Sequence, residues 1–118
     1  MDSTIKKRAV GYCRRAMSKG ATTSVDRQAE RLEEYAAKHG LILVDVIKDN
    51  NVSAYGDKLP PGVERIISMA DEKLIDVVIV DQVARWSRNA RLGSSSIQKL
   101  EEAGVEFIAL DLEAANGR

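Results

Sequence analysis

The sequence predicts an α/β domain, doubly wound, with a mainly parallel four-stranded core sheet and helices on both faces. Three features of the chain point there. Four short apolar segments recur along it. Amphipathic stretches with helical spacing separate them, so strand and helix alternate throughout. The third strand, Asp76–Val80 (DVVIV), is almost wholly β-branched, as suits a strand covered on both faces.

The elements follow in order. Arg8–Cys13 (RAVGYC) reads as a first buried strand. Thr22–Gly40 reads as a helix that Thr23 or Ser24 can cap, with Asp26 in its first turn and Gly40 at its end. Val25, Ala29, Leu32 and Ala36 form its apolar face. His39, beside Gly40, reads as part of the C-terminal cap. Leu41–Ile47 (LILVDVI) is a second strand, and Lys48–Pro60 a polar loop. Pro61 suits the first turn of a helix whose inward face is Val63, Ile66, Ile67, Ala70 and Leu74. After the third strand, Gln82–Ser94 reads as a loop entering a helix that runs to about Ala103, with Ile97 and Leu100 inward. Val105–Leu110 (VEFIAL) is a fourth strand, and Asp111–Arg118 a frayed tail.

The chain has 118 residues, a one-domain length, and 44% hydrophobic residues, which excludes disorder. Lysine plus arginine balance aspartate plus glutamate at 18 each, so no global field draws it to nucleic acid or membrane. The local balance differs. Ser3–Val25 holds six basic residues and no acid, and Gln82–Arg91 holds three arginines and no acid. Acids gather instead in Asp26–Glu34 and Glu101–Glu113. Cys13 is the only cysteine, which excludes an internal disulfide and fits a reducing compartment. No apolar run is long enough to span a bilayer, and the start lacks a signal-peptide core.

In a doubly wound sheet, ligands sit beyond the C-terminal strand ends. Here those ends carry Arg14, the Asp49–Ser53 loop, Asp81–Arg88 and Asp111. A guanidinium is a permanent cation that grips phosphate oxygens with two donors. One such arginine is ordinarily a solvated strand end. Arg14, Arg85 and Arg88 at matching ends suggest a phosphodiester cradle, open to solvent so that mutual repulsion is screened. Nucleotide binding is disfavoured, because the first strand runs into Cys-Arg-Arg-Ala-Met-Ser-Lys-Gly with no glycine-rich phosphate turn. A receiver-type site is disfavoured too, since arginines stand where clustered acids would be needed. Cys13 alternates with Arg14 and should point inward. There is no metal-ligand spacing, and no cofactor is expected.

These residues, taken together, resemble the catalytic domain of the serine recombinases (the resolvase/invertase family), over about Arg8–Asp111. The family's Tyr-x-Arg-x-Ser reads Tyr12-Cys13-Arg14-Arg15-Ala16. Its Ser-x-x-x-Gln helix start reads Ser24-Val25-Asp26-Arg27-Gln28. Thr22-Thr23-Ser24 is similar to the large serine integrases, the nearest in motif spacing. Asp49 and Val52-Ser53-Ala54 match an Asp then Val-Ser-Gly loop, and Pro61-Gly62 matches the helix start that follows. Ala84-Arg85-Trp86-Ser87-Arg88 stands for Asp-Arg-x-x-Arg, and Gly104-Val105 for the Gly-Val at the last strand. The resemblance implies a resolvase-like fold and DNA strand cleavage and exchange through a 5′-phosphoserine, without metal or cofactor. It implies phosphate binding by Arg14, Arg85 and Arg88, with Gln28, Ser53 and Tyr12 in support. Charge stabilisation by such arginines is the general logic of a preorganised site.

The departures bear on activity. Ala16 stands at the nucleophile position, Ala84 at the acid before the paired arginines, and Lys58, Leu59 and Pro60 where the family has a loop arginine. A methyl group cannot form a phosphoester. Ser18 is a substitute nucleophile only if the register shifts, and Cys13 is a weaker candidate still. The expected whole is a single resolvase-like domain spanning residues 1–118. The long helix and DNA-binding domain that continue family members are not expected within it. Impaired cleavage is expected, with weak DNA binding and a second copy or another recombinase as protein partner. The resemblance also implies a bacterial or phage origin and a cytoplasmic setting. Two other readings stay open: a non-catalytic regulatory module derived from a recombinase, and an active enzyme using Ser18.

Overall fold

The structure, a computed structural model, describes residues 6–15, 24–50 and 58–115. Their order is β1 (Arg8–Arg15), α1 (Val25–Lys38), β2 (Ile42–Asn50), α2 (Pro61–Asp71), β3 (Val77–Val80), α3 (Val83–Trp86), α4 (Ala90–Glu102), β4 (Glu106–Ala109) and α5 (Leu110–Ala115). Among the described residues the sheet has four strands in the order β2-β1-β3-β4, all pairs parallel. The expected α/β architecture is therefore present.

The order reverses between β1 and β3. The chain leaves β1 for β2 on one side, then crosses back to β3 on the other. Strand alternation splits the core accordingly. Val10, Tyr12, Val78 and Val80 face the helices α2 and α4 with Val63, Ile66, Trp86 and Leu100. Ala9, Cys13, Val77 and Ile79 face α1 with Ala29, Leu32 and Ala36. The crevice beyond the ends of β1 and β3 is thus a topological switch point, where such folds place ligands.

Local chemistry sets the helix ends. Ser24 is the N-cap of α1, its Oγ accepting from the Arg27 N–H at 3.1 Å. His39 is the C-cap, and its ring stacks on Tyr35 at a 4.0 Å centroid separation. Gly40 follows with φ of 68°, a conformation that a side chain would strain. Pro61 occupies the first turn of α2.

Four expectations need correction. β2 runs on through Lys48, Asp49 and Asn50, which pair with Cys13, Arg14 and Arg15. Ladder pairing, which sequence periodicity does not report, overrides their polarity. Leu74 is not on the inward face of α2. That helix ends at Asp71, leaving Leu74 exposed and Ile75 buried. The expected loop Gln82–Ser94 contains α3 and the start of α4, which Asn89 caps through its side chain to the Leu92 N–H at 3.1 Å. The expected frayed tail begins instead with α5. No helix among the described residues is long and apolar enough to cross a membrane.

At the opposite end of the sheet, β1 starts against Asp76. The Arg8 backbone N–H donates to Asp76 Oδ2 at 2.8 Å, and its guanidinium spans both carboxylate oxygens at 3.1 and 3.2 Å. The Arg8 side chain first, and its backbone N–H second, hold the Asp76 carboxyl below the usual carboxylate range. A carboxylate depressed on folding contributes stability that is present above its unfolded pKa of about 3.9 and lost as pH falls through the folded value. The melting temperature should therefore fall on acidification below about pH 4, and the Asp76→Asn variant should show a flatter profile there. Identical slopes in the two proteins would contradict this assignment.

Candidate functional site

Each of the two central strands at the switch point contributes one arginine-bearing segment. β1 ends in Arg14, and β3 runs through Asp81 into the single turn of α3, which carries Arg85. Arg14 is only 2% exposed. Its Nε donates to the Arg85 carbonyl at 2.9 Å and its Nη2 to the Ala84 carbonyl at 3.0 Å. The guanidinium fork thereby holds the turn of α3 over the end of β1. Burial pulls the Arg14 guanidinium below its ordinary value; Tyr12 opposes this, while Arg88 and Arg85 add to it by repulsion. The charges of Arg14, Arg85 and Arg88 therefore act on one another at this end of the sheet.

The expected openness is not found. Arg14 and Arg85 are both buried, and only Arg88 is exposed. Backbone carbonyls stabilise the Arg14 charge in place of water. Arg85, 7% exposed, lies on the other side near Asp81, with Nη2 at 3.9 Å from Asp81 Oδ2. Asp81 is 3% exposed, and its Oδ1 accepts from Arg31 Nη1 at 2.8 Å. Asp81 Oδ2 and Arg85 Nε have no hydrogen-bond partner among the described residues.

The supporting residues have defined roles in the frame. Gln28, fully buried on α1, pairs with the backbone of Arg14: Nε2 donates to its carbonyl at 3.0 Å and Oε1 accepts from its N–H at 3.1 Å. The amide acts as a short extra strand partner, fixing where β1 ends. Tyr12 Oη donates to Asp49 Oδ2 at 2.7 Å. Burial first, then that bond, pushes the Tyr12 phenol up, so it stays a neutral donor. The same oxygen accepts from the Gly62 N–H at 2.8 Å. A Cβ at Gly62 would lie 2.7 Å from both Asp49 Oδ2 and Tyr12 Cε1, so only glycine admits this contact.

Cys13 is buried and inward, as expected. Burial pushes its thiol up to about 12, which leaves almost no nucleophilic thiolate at neutral pH. Ala16, Ser18 and Ser53 lie outside the described residues. The sequence reading missed Arg31 and gave Asp81 no partner. Their contact joins residues 50 apart in sequence, and no local pattern signals it. An acid directly after an all-β-branched strand was the one available hint.

Comparison with known proteins accords with this geometry. The N-terminal catalytic domain of TP901-1 integrase superposes with a TM-score of 0.79 at 26% identity, over 89% of this chain and 78% of that one. The C-terminal catalytic domain of ISC1926 TnpA, an IS607-like serine recombinase, gives 0.75 at 24% identity, over 87% of this chain and 69% of that one. A resolvase family site-specific recombinase from Streptococcus pneumoniae gives 0.72 at 22% identity, over 90% and 73%. At the last two identities the likeness is one of fold. A search of curated proteins gave no match. The family profile described as "Resolvase, N terminal domain" matches residues 9–118. Because that match takes in every element from β1 onward, the chain belongs to the resolvase N-terminal domain family, and its fold is that of serine recombinase catalytic domains.

Proposed function

We propose that this domain engages a DNA phosphate through Arg14, Arg85 and Arg88 but does not itself form a phosphoserine bond. The observation that carries the reading is the Arg14 fork. It fastens the arginine-bearing turn of α3 onto the end of β1, so that Arg88 emerges beside a fixed positive site. The sequence supplies the second half: position 16 is alanine, with no hydroxyl to attack. The domain then acts as a DNA-associated partner of a second copy or of an active recombinase, in the cytoplasm. Zero net charge and few basic clusters imply weak, sequence-blind binding, roughly 10⁻⁴ M at physiological salt.

The test is incubation with duplex DNA followed by denaturing electrophoresis and mass spectrometry. The native chain should give no covalent adduct, and Ala16→Ser at most a trace, because Ala84 and the Lys58–Pro60 segment also depart from the family pattern. An adduct on Ser18 would overturn the non-cleaving reading. Absence of DNA binding even at low salt would favour a protein-interaction module instead.

A further inference from the structure

A buried guanidinium needs compensation, from hydrogen-bond acceptors as at Arg14 or from an opposite charge. Without either, desolvation would drive the side chain outward or disfavour the fold. Arg85 is buried, and the residue before it, where the family pattern has an acid, is Ala84. Asp81 stands four residues earlier, between the end of β3 and the start of α3. Its backbone carbonyl accepts from the Asp111 N–H at 3.1 Å, so α5 holds its main chain, and the Val83 N–H donates to Asp111 Oδ1 at 3.3 Å, which ties α3 to α5. Arg31 takes Oδ1, leaving Oδ2 turned toward Arg85 at 3.9 Å. The two polar atoms left unpaired there are one acceptor, Asp81 Oδ2, and one donor, Arg85 Nε. Both atoms are excluded from water, and the guanidinium and carboxylate that carry them have opposite charge at 3.9 Å.

We infer that Asp81 is a positioning residue whose carboxylate fixes the Arg85 head at the switch point, the task for which position 84 carries no acid. Arg31 braces Asp81 from the solvent side, where both line a cavity of about 430 Å³. The inference rests on the phosphate-binding reading of Arg85, but its first readout does not require DNA.

That readout is the Arg85 Nε–H resonance in ¹⁵N-labelled protein. In the native domain it should be dispersed and exchange slowly with water, unlike that of Arg27, whose side chain is 72% exposed. Asp81→Asn should move it into the solvent-averaged arginine envelope, and Asp81→Glu should restore much of the dispersion. The second readout is binding to a random-sequence duplex as a function of salt. Asp81→Asn makes the protein more positive, yet binding should weaken, with a log K against log salt slope shallower by about 0.9, one phosphate contact. Tighter binding by Asp81→Asn, with the Arg85 signal unmoved, would overturn the inference. So would an Arg85 Nε–H in the native protein exchanging as fast as that of Arg27, whether or not the variant folds. A native domain that binds no DNA, but whose Arg85 signal responds to Asp81→Asn, would support the Asp81–Arg85 contact and overturn the phosphate reading.

Discussion

Trp86→Ala should lower the unfolding free energy by about 3–5 kcal/mol, the range for a buried tryptophan truncated to alanine. Set against a total of about 5–15 kcal/mol, this leaves the domain marginal or unfolded. The indole is fully buried. It meets Tyr12 edge-on at a 5.7 Å centroid distance and Phe107 at 5.2 Å. Its Nε1–H donates to Ser96 Oγ at 2.8 Å. A cavity here would adjoin β1, β4 and α4 at once. Trp86→Phe keeps a ring in the core and loses only part of the volume and the hydrogen bond. Its deficit should be clearly smaller. Denaturant titration followed by circular dichroism measures both, since Trp86 is the only tryptophan and its fluorescence is lost with it. Because Trp86 lies between Arg85 and Arg88 in sequence, the alanine variant should also lose anion binding. A small shift in midpoint for Trp86→Ala would mean that this ring is not the anchor of α3.

Arg14→Met should destabilise the domain as well as weaken DNA binding, and the pairing of the two effects is the point. A solvated arginine replaced by an apolar residue of similar length would change affinity and leave stability almost untouched. Here the loss strips the Ala84 and Arg85 carbonyls of their donors, each worth about 1–3 kcal/mol when buried. Removing a buried charge recovers part of that through desolvation. The net loss should be on the order of 1–3 kcal/mol. Arg14→Lys should rescue only partly, because an ammonium lacks the planar fork that reaches two carbonyls. An unchanged urea midpoint for Arg14→Met would show that the fork does not fasten α3.

The layered fold was legible because its cause is local. Periodicity separated strands from helices, Ser24 marked the start of α1, Gly40 its end, and Pro61 the start of α2. The identities of Arg14, Arg85 and Arg88 were legible for the same reason: they sit at strand ends that the pattern already defined. Their surroundings were not. The fork of Arg14 reaches carbonyls 70 and 71 residues away, and a backbone acceptor has no signature in a side-chain sequence. Repulsion among arginines suggested an open site, but burial prevailed because Arg14 met backbone carbonyls and Arg85 a buried carboxylate. The polar end of β2 was misread likewise. Asp49 looks like a loop residue until its pairing with Arg14 and its contacts to Tyr12 and Gly62 are known.

Asp49 has a further consequence. A single carboxylate oxygen ties the end of β2 to the start of α2, joining residues 13 apart in sequence. The segment between them is closed at its base by a contact that does not depend on its content. Closing a longer segment adds only about 0.6 kcal/mol for each doubling of its length. Added length between Asn50 and Lys58 is therefore inexpensive for the fold, whereas Asn50, paired with Arg15, and the buried Pro60 hold the two ends, and this is a seam along which descendants of one ancestral chain could diverge in length while the arginine frame beside it keeps its shape.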